Sequence, residues 1–260
     1  MTYETISLRL EDSAGVVQLN RPEKHNALSS KLLKELSAAL TELENNARVS
    51  GVILTGSEHA FSTGADLNEA VAFTTATEAM SYNRLFRDVT YKMESLYKPV
   101  VAAISGYCIT GGLELALASD IRYAANNAKF SITSAKIGSV AGAGGTQRLP
   151  RIVGKSIAME LLFTSRFFDA AYAEHIGLVN KVVPEGEVLQ AAVDLVGEFA
   201  TQGPLSLTWM KMAVHTGMDL DRESGLVLES VLNSNAFRSA DKAEGMRAFL
   251  EKRPPVFRGE

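Results

Sequence analysis

The sequence predicts an α/β fold, and three observations carry that prediction. Short apolar runs at 16–19, 51–56 and 100–104 read as buried strands, and they alternate with stretches of helical spacing. The run at 100–104 leads into SGYCITGGLELALASD at 105–120, where Gly111 and Gly112 supply a turn free of Cβ atoms and 113–118 continue as good helix formers. A chain of 260 residues with 46% hydrophobic and 22% charged content also buries a large core, as one domain with an appendage or as two small domains.

Taken in order, the chain opens with apolar and polar residues alternating at 5–10, turn chemistry at 11–15 and a return at 16–19, which predicts a hairpin. Asn20-Arg21-Pro22 ends it. A loop at 23–28 precedes Ser29 and Ser30, either of which caps a helix with the apolar stripe Leu32, Leu33, Leu36, Ala39, Leu40 and Leu43. A buried strand at 51–56 is followed by a loop at 57–66. The segment 68–80, rich in Thr and Ala and poor in helical periodicity, reads as a mobile lid. Helix resumes over 79–96 and stops before Pro99. Beyond 120 come strands at 121–124 and 130–132, a glycine-rich loop at 138–145, helical segments from 155 and at 170–175, and a last strand at 179–183. Helices near 188–201, 205–215, 221–235 and 241–252 complete the chain. A boundary in the range 184–203 separates a core, 1–195, from a helical C-terminal region, 196–260.

The central strand, turn and helix carry the chemistry. First-turn amides of such a helix are unpaired and partially positive, and glycine lets a ligand approach the backbone closely. With Gly111 at the cap, Glu114 falls at the third helical position, beside an apolar surface. One reading has Glu114 capping its own helix, an ordinary duty for a first-turn glutamate. The other makes it a general base or acid whose pKa burial raises and the helix terminus lowers.

Composition narrows the classes. A formal charge of −4 gives no broad basic field, which argues against nucleic acid and against anionic membranes as partners. A lone cysteine, Cys108, excludes an intrachain disulfide framework and reads as a small buried residue in a reducing, cytoplasmic setting. The N-terminal stretch 1–12 carries acidic residues early and has no apolar segment of signal-peptide type, and no later run is long enough to span a bilayer. His25, His59, His175 and His215 stand singly, without metal-ligand spacing. The glycines at 142–145 lack the Lys and Ser/Thr of a phosphate-binding loop, and Ser105-Gly106 lacks the frame of a hydrolase nucleophile. Asp66 and Asp120 adjoin turns or helix ends and read as structural.

Five stretches in order resemble the crotonase, or enoyl-CoA hydratase/isomerase, superfamily. They are Asn20-Arg21-Pro22 through Asn26-Ala27-Leu28; Phe61-Ser62-Thr63-Gly64-Ala65-Asp66-Leu67; Lys98-Pro99-Val100 through Gly111-Gly112-Leu113-Glu114-Leu115-Ala116; Gly142-Ala143-Gly144-Gly145-Thr146-Gln147-Arg148-Leu149-Pro150; and Gly177-Leu178-Val179-Asn180. The resemblance spans essentially the whole chain. It implies a spiral of ββα repeats with a helical C-terminal oligomerisation region, assembling as a homotrimer or homohexamer. It implies an acyl-CoA thioester as substrate and no separate cofactor. By motif position the amides of Ala65 and Gly111 form an oxyanion hole, in which one donor contributes roughly 3 to 4 kcal/mol. Coenzyme A contacts map to Lys24, His25 and Ala27, to Ser62, Thr63, Gly64, Ala65 and Asp66, and to Phe249 and Lys252, the last two reaching from a neighbouring subunit. For Lys24 and Lys252 the plain alternative is a solvated surface charge.

One departure matters. Hydratases of this family carry a second glutamate in a segment resembling Phe-Gly-x-Pro-Glu; here the segment is Phe130-Ser131-Ile132-Thr133-Ser134. Ser134 stands at the glutamate position and Thr133 at the proline, while Ala141 replaces a usual proline before Gly142. A serine hydroxyl orients a water but is a poor proton donor at neutral pH. The leading expectation is hydration of a 2-enoyl-CoA or dienoyl-CoA with Glu114 as the only catalytic glutamate and Ser134 completing the network. Decarboxylation, isomerisation and thioester hydrolysis use the same oxyanion chemistry, and an acyl-CoA-binding protein without turnover is the reading from another class.

Overall fold

The computed structural model describes residues 2–260; Met1, the first residue of the N-terminal stretch read above, lies outside them. Among the described residues ten strands make two sheets. Strands β1 (Ile6–Glu11), β2 (Ala14–Leu19) and β3 (Gly51–Thr55) are followed by β4 (Ala60–Ser62), β5 (Val100–Ile104) and β6 (Tyr107–Ile109). Then come β7 (Ile121–Ala125), β8 (Lys129–Ser131), β9 (Phe168–Asp169) and β10 (Lys181–Val183). The six-stranded sheet runs β1-β2-β3-β5-β7-β10, and the four-stranded sheet runs β4-β6-β8-β9. From β2 onward the larger sheet is parallel, while β1 and β2 form the antiparallel hairpin read from the sequence.

The order of the strands explains the spiral. Each turn of chain lays one strand in the larger sheet and the next in the smaller one, β3 then β4, β5 then β6, β7 then β8, and a helical segment follows each pair. Parallel neighbours require such crossovers, and the crossovers cover both faces of the sheet. Alternation along the strands shows this directly. Val52, Leu54, Val100, Ala102 and Ile104 join the core against the helices Ser30–Glu44 and Ala76–Ser95, whereas Ile53, Val101 and Ala103 face Ala192, Val193 and Val196 of the helix Val188–Ala200.

Helix starts follow local capping. Ser29 accepts from Leu32 N at 3.3 Å to begin the helix Ser30–Glu44. At the segment expected to be a lid, Asp66 caps a short helix, Leu67–Ala70, and a Thr75–Glu78 capping box starts the next at Ala76. Capping therefore orders a stretch that lacks apolar periodicity. The three-residue strand β4 stands where the sequence predicts loop, and the three-residue β6 and two-residue β9 stand where it predicts no strand, because so short a strand holds too few residues to show alternation. The glycine-rich loop passes into the helix Gly145–Val153, which contains Pro150.

The C-terminal helices Pro204–Gly217, Arg222–Ala236 and Ala240–Glu251 bury few side chains. Val214, Met218, Val227, Phe237, Phe249 and Leu250 are all more than 60% exposed, an unusual share of apolar surface for one layer. The tail folds back on the last helix, where Asp241 accepts from Arg258 N and Gly259 N at 2.7 and 2.8 Å and Arg253 pairs with Glu244.

Candidate active site

Two successive turns of the spiral bring Ala65 and Gly111 side by side. The helix Gly111–Leu117 packs against β4 so closely that a Cβ on Gly112 would collide with Ser62. A Cβ on Gly111 would lie 3.3 Å from Ala65 N and 3.0 Å from Phe86 Cζ, and one on Gly64 would lie 2.9 Å from Gly111 N. Glycine keeps this approach free of crowding at 111, and at 64 it is required by both the contact with backbone and a φ of +96°. Among the described residues, neither the Ala65 N–H nor the Gly111 N–H is bonded to a protein acceptor. Two adjacent backbone donors are thus left for a ligand, since buried or half-buried amides are seldom left without any partner.

The segment bearing Ala65 is held from several sides. Leu28 N donates to Gly64 O at 2.8 Å and Asp66 N to Leu28 O at 3.3 Å, while the Tyr82 hydroxyl donates to Leu28 O. Asn26, buried and at φ +56°, donates to Ala60 O and Phe61 O and accepts from Arg21 N at 2.9 Å. The Ser62 hydroxyl donates to Asn26 O at 2.8 Å, and Thr63 N donates to His25 O at 3.1 Å. The loop with Lys24, His25 and Ala27 is therefore laced to the segment 62–66. Lys24 and His25 are exposed on it. Asp66 pairs with Arg21 at 2.9 Å and caps its helix. Burial alone would raise its pKa, but the Arg21 guanidinium and two amides outweigh burial and hold it below the ordinary range.

Glu114 is 2% exposed, and it does not cap its own helix. Thr110 is the N-cap, so Glu114 sits at the fourth helical position, and its amide donates to Thr110 O at 2.8 Å. Its Oε1 instead reaches the glycine-rich loop and accepts from Ala143 N and Gly145 N, each at 2.8 Å. A Cβ on Gly145 would lie 2.9 Å from that same oxygen, which is why glycine stands there. No hydrogen bond from the described residues reaches Oε2. The loop is braced in turn by Arg148, which donates to Ala143 O at 3.1 Å and to both oxygens of Glu94 at 2.5 and 2.7 Å. Burial pushes the Glu114 pKa up; the two amides and the Arg148 charge oppose it without overcoming it. The result is a buried carboxylate, fixed through one oxygen and basic above the usual carboxylate range.

Ser134 is 6% exposed and opens a short 3-10 turn, Ser134–Ile137. Its hydroxyl makes no hydrogen bond among the described residues, and none joins it to Glu114. Phe249 and Lys252 lie on the last helix and at its end, both exposed, and no hydrogen bond ties either to the Lys24 loop. Residues given no role in the sequence reading do much of the holding: Asn26, Tyr82, Glu94 and Arg148. Asn26 and Arg148 fall inside the motif stretches, but the bonds by which Asn26 holds β4 join residues more than 30 positions apart.

At the far end of the same helix, Asp120 accepts from Lys211 and His215 at 2.8 Å each and from Val100 N at 2.7 Å. His215, which stands singly in the sequence, is thus tied to a half-buried carboxylate. Burial would raise the pKa of Asp120, yet the His215 bond and the Lys211 charge bring it below the ordinary range. A cavity of about 1430 Å³ lies beside this cluster and touches the back of the glycine-rich loop at Gly142, Ala143 and Gly144, without being lined by Glu114. Among the described residues no group of three or more His, Cys, Asp or Glu is placed to hold a metal ion, and no helix is long and apolar enough to cross a membrane.

Comparison with known proteins agrees over the full length. The family model described as enoyl-CoA hydratase/isomerase matches residues 9–260. The short-chain-enoyl-CoA hydratase of Clostridium acetobutylicum is 38% identical over 254 residues, 97% of each chain. The crotonyl-CoA hydratase of Syntrophomonas wolfei is 39% identical over 261 residues, 99% of each. The crystal structure of an enoyl-CoA hydratase from Bacillus anthracis superposes with a TM-score of 0.95 at 37% identity, covering 99% of this chain and 100% of that one.

Proposed function

Because the chain belongs to the enoyl-CoA hydratase/isomerase family and is an enzyme of hydratase, that is lyase, type, we propose that it adds water reversibly across a 2-enoyl-CoA with Glu114 as its only catalytic glutamate. The observation that carries this reading is the Glu114 carboxylate, buried and pinned through Oε1 by two amides while Oε2 stays unbonded to protein. A base held in this way keeps its orientation through the reaction without reorganising.

The Ala65 and Gly111 amides bind the thioester oxygen. Glu114 takes a proton from water as the water oxygen bonds to the β-carbon, and the electron pair of the double bond moves onto the thioester as an enolate. The protonated Glu114 then returns its proton to the α-carbon on the same face, so the elements of water are conserved and the addition is syn. Charge gathers on the thioester oxygen where the two donors already stand, which is the preorganisation that lowers such barriers. The Ser134 hydroxyl, free of protein partners, orients the attacking water. Because serine supplies no acid, substrates whose enolate is delocalised, such as a conjugated dienoyl-CoA, need the least help.

Coenzyme A lies along Lys24, His25 and Ala27 and the segment Ser62, Thr63, Gly64, Ala65 and Asp66. Phe249, 83% exposed, and Lys252 reach it from a neighbouring subunit, and the apolar surface of the C-terminal helices supports a homotrimer or homohexamer. A single buried thiol suits a cytoplasmic enzyme. The decisive assay follows loss of enoyl-thioester absorbance with crotonyl-CoA for wild type, Glu114→Gln and Ser134→Glu. Turnover by wild type that Glu114→Gln abolishes supports the reading. An inert wild type that Ser134→Glu activates overturns it in favour of another reaction on this scaffold.

A further inference from the structure

Thr110 occupies a backbone conformation that a β-branched residue ordinarily refuses. Its φ is 47° and its ψ −113°, outside every favoured region for threonine, and such residues persist only where their surroundings over-determine them. The surroundings are explicit. Thr110 N donates to Ser131 O at 2.8 Å. Its Oγ1 accepts from Thr133 N at 3.0 Å, and the two threonine hydroxyls are hydrogen-bonded to each other at 2.8 Å. The peptide that follows is gripped at one end only: its carbonyl, Thr110 O, accepts from Glu114 N, and its N–H is that of Gly111. Because a peptide is planar, the ψ of Thr110 sets the direction in which the Gly111 N–H points.

Resting on the reading of Ala65 and Gly111 as the oxyanion donors, we infer that Thr110 and Thr133 are a positioning pair whose mutual hydrogen bonds aim the Gly111 N–H at the thioester oxygen. Position 133 is where the family resemblance leads one to expect proline. Proline offers neither a backbone N–H nor a hydroxyl, so it could make neither bond to Thr110. The two threonines are thus one device, in which the strained residue and its restraint lie just beyond the ends of adjacent strands of the smaller sheet, Thr110 after β6 and Thr133 after β8. Neither side chain touches the substrate in this scheme; each acts through the peptide between Thr110 and Gly111.

The test is a double-mutant cycle read by kinetics and by infrared spectroscopy of bound butyryl-CoA labelled with carbon-13 at the thioester carbonyl. This saturated thioester occupies the site without being hydrated. Wild type is expected to lower the carbonyl stretching frequency on binding. Thr110→Val is expected to lose most of that shift and about tenfold or more in kcat with KM within about twofold, the signature of a lost transition-state donor. Thr133→Val is expected to cost about tenfold in kcat in the wild-type background but less than about twofold in the Thr110→Gly background, where the backbone adopts the turn unaided. Thr133→Ser, which keeps both donors, restores the shift. An equal cost of Thr133→Val in both backgrounds overturns the inference, and that comparison stands even if Thr110→Val fails to fold. An undiminished shift in a folded Thr110→Val does the same. If wild type itself shows no shift, the oxyanion reading fails first and the positioning role with it.

Discussion

The helix Gly111–Leu117 has a carboxylate near each end, Glu114 buried and Asp120 half-buried, and the two are satisfied in opposite ways. Asp120 meets charge with charge: Lys211 and His215 close around it, and its pKa is pulled down. Glu114 meets only the dipoles of two amides and a more distant guanidinium, and burial keeps its pKa up. The first arrangement fixes a proton-free strut that ties the C-terminal helices to the core. The second leaves a carboxylate whose ionised form is tolerated but not locked in, which is what a group that takes and returns a proton needs. Partial or full removal from water is common to both; the kind of partner decides the role.

The comparison breaks most plainly by substitution. Glu114→Gln keeps the shape and the Oε1 acceptor, and kcat on crotonyl-CoA is expected to fall by about 10²- to 10⁴-fold with the fold intact by circular dichroism. Asp120→Ala should do the reverse. It strands Lys211, whose pKa burial already lowers against the pull of Asp120, and a broken buried pair costs about 3 to 5 kcal/mol in urea unfolding. If Asp120→Ala instead spares stability and removes turnover, the assignment of strut and base is wrong.

Gly145→Ala sharpens the contrast, since its Cβ enters at 2.9 Å from Glu114 Oε1 and must displace the base or the loop. A loss of about 10- to 100-fold in kcat is expected, with little change in KM. How much of this was legible in the sequence differs by residue. Gly111 and Glu114 were readable because a strand, a glycine turn and a helix make a local pattern within 100–118. The amides that hold Glu114 were not, because every residue but proline carries an N–H and sequence does not mark which one is used. The same holds for Asp120: His215 and Lys211 lie more than 90 residues away, and only the folded chain reveals the pairing. Short strands escaped for a related reason. β4, β6 and β9 owe their existence to neighbours in the smaller sheet and not to periodicity of their own.

Linkage to pH separates the two carboxylates by sign. Glu114 has a folded pKa above its unfolded value, so the fold binds the extra proton, and the stability it contributes is full below the unfolded pKa and lost as pH rises through the folded one. Glu114→Gln should therefore melt higher than wild type at neutral pH, with the gap closing on acidification. Asp120 has a folded pKa below its unfolded value, so its contribution is present above the unfolded pKa and lost as pH falls through the folded one. Asp120→Asn should thus melt lower than wild type at neutral pH, with that gap also closing in acid. Thermal melts of both variants across the carboxylate range measure the two signs together.

The smallest effect concerns the brace behind the loop. Arg148 lowers the Glu114 pKa through its charge, so Arg148→Gln is expected to move the acid limb of kcat/KM to higher pH. Glu94→Gln leaves the Arg148 charge unpartnered and should move the limb to lower pH. Limbs that move in the same direction would mean that the pair acts only by holding the loop.

The anchoring of Glu114 by main-chain donors also bears on inheritance. Two amides hold the base, and a codon change cannot delete an amide unless it writes proline. At position 143 a substitution other than proline keeps the amide that holds the carboxylate, and the side chain, packed against the core, is limited by size alone. At position 145 even that freedom is absent, because any Cβ intrudes. Exchange of one small side chain for another at 143 therefore leaves Glu114 in place, whereas any side chain at 145 displaces it.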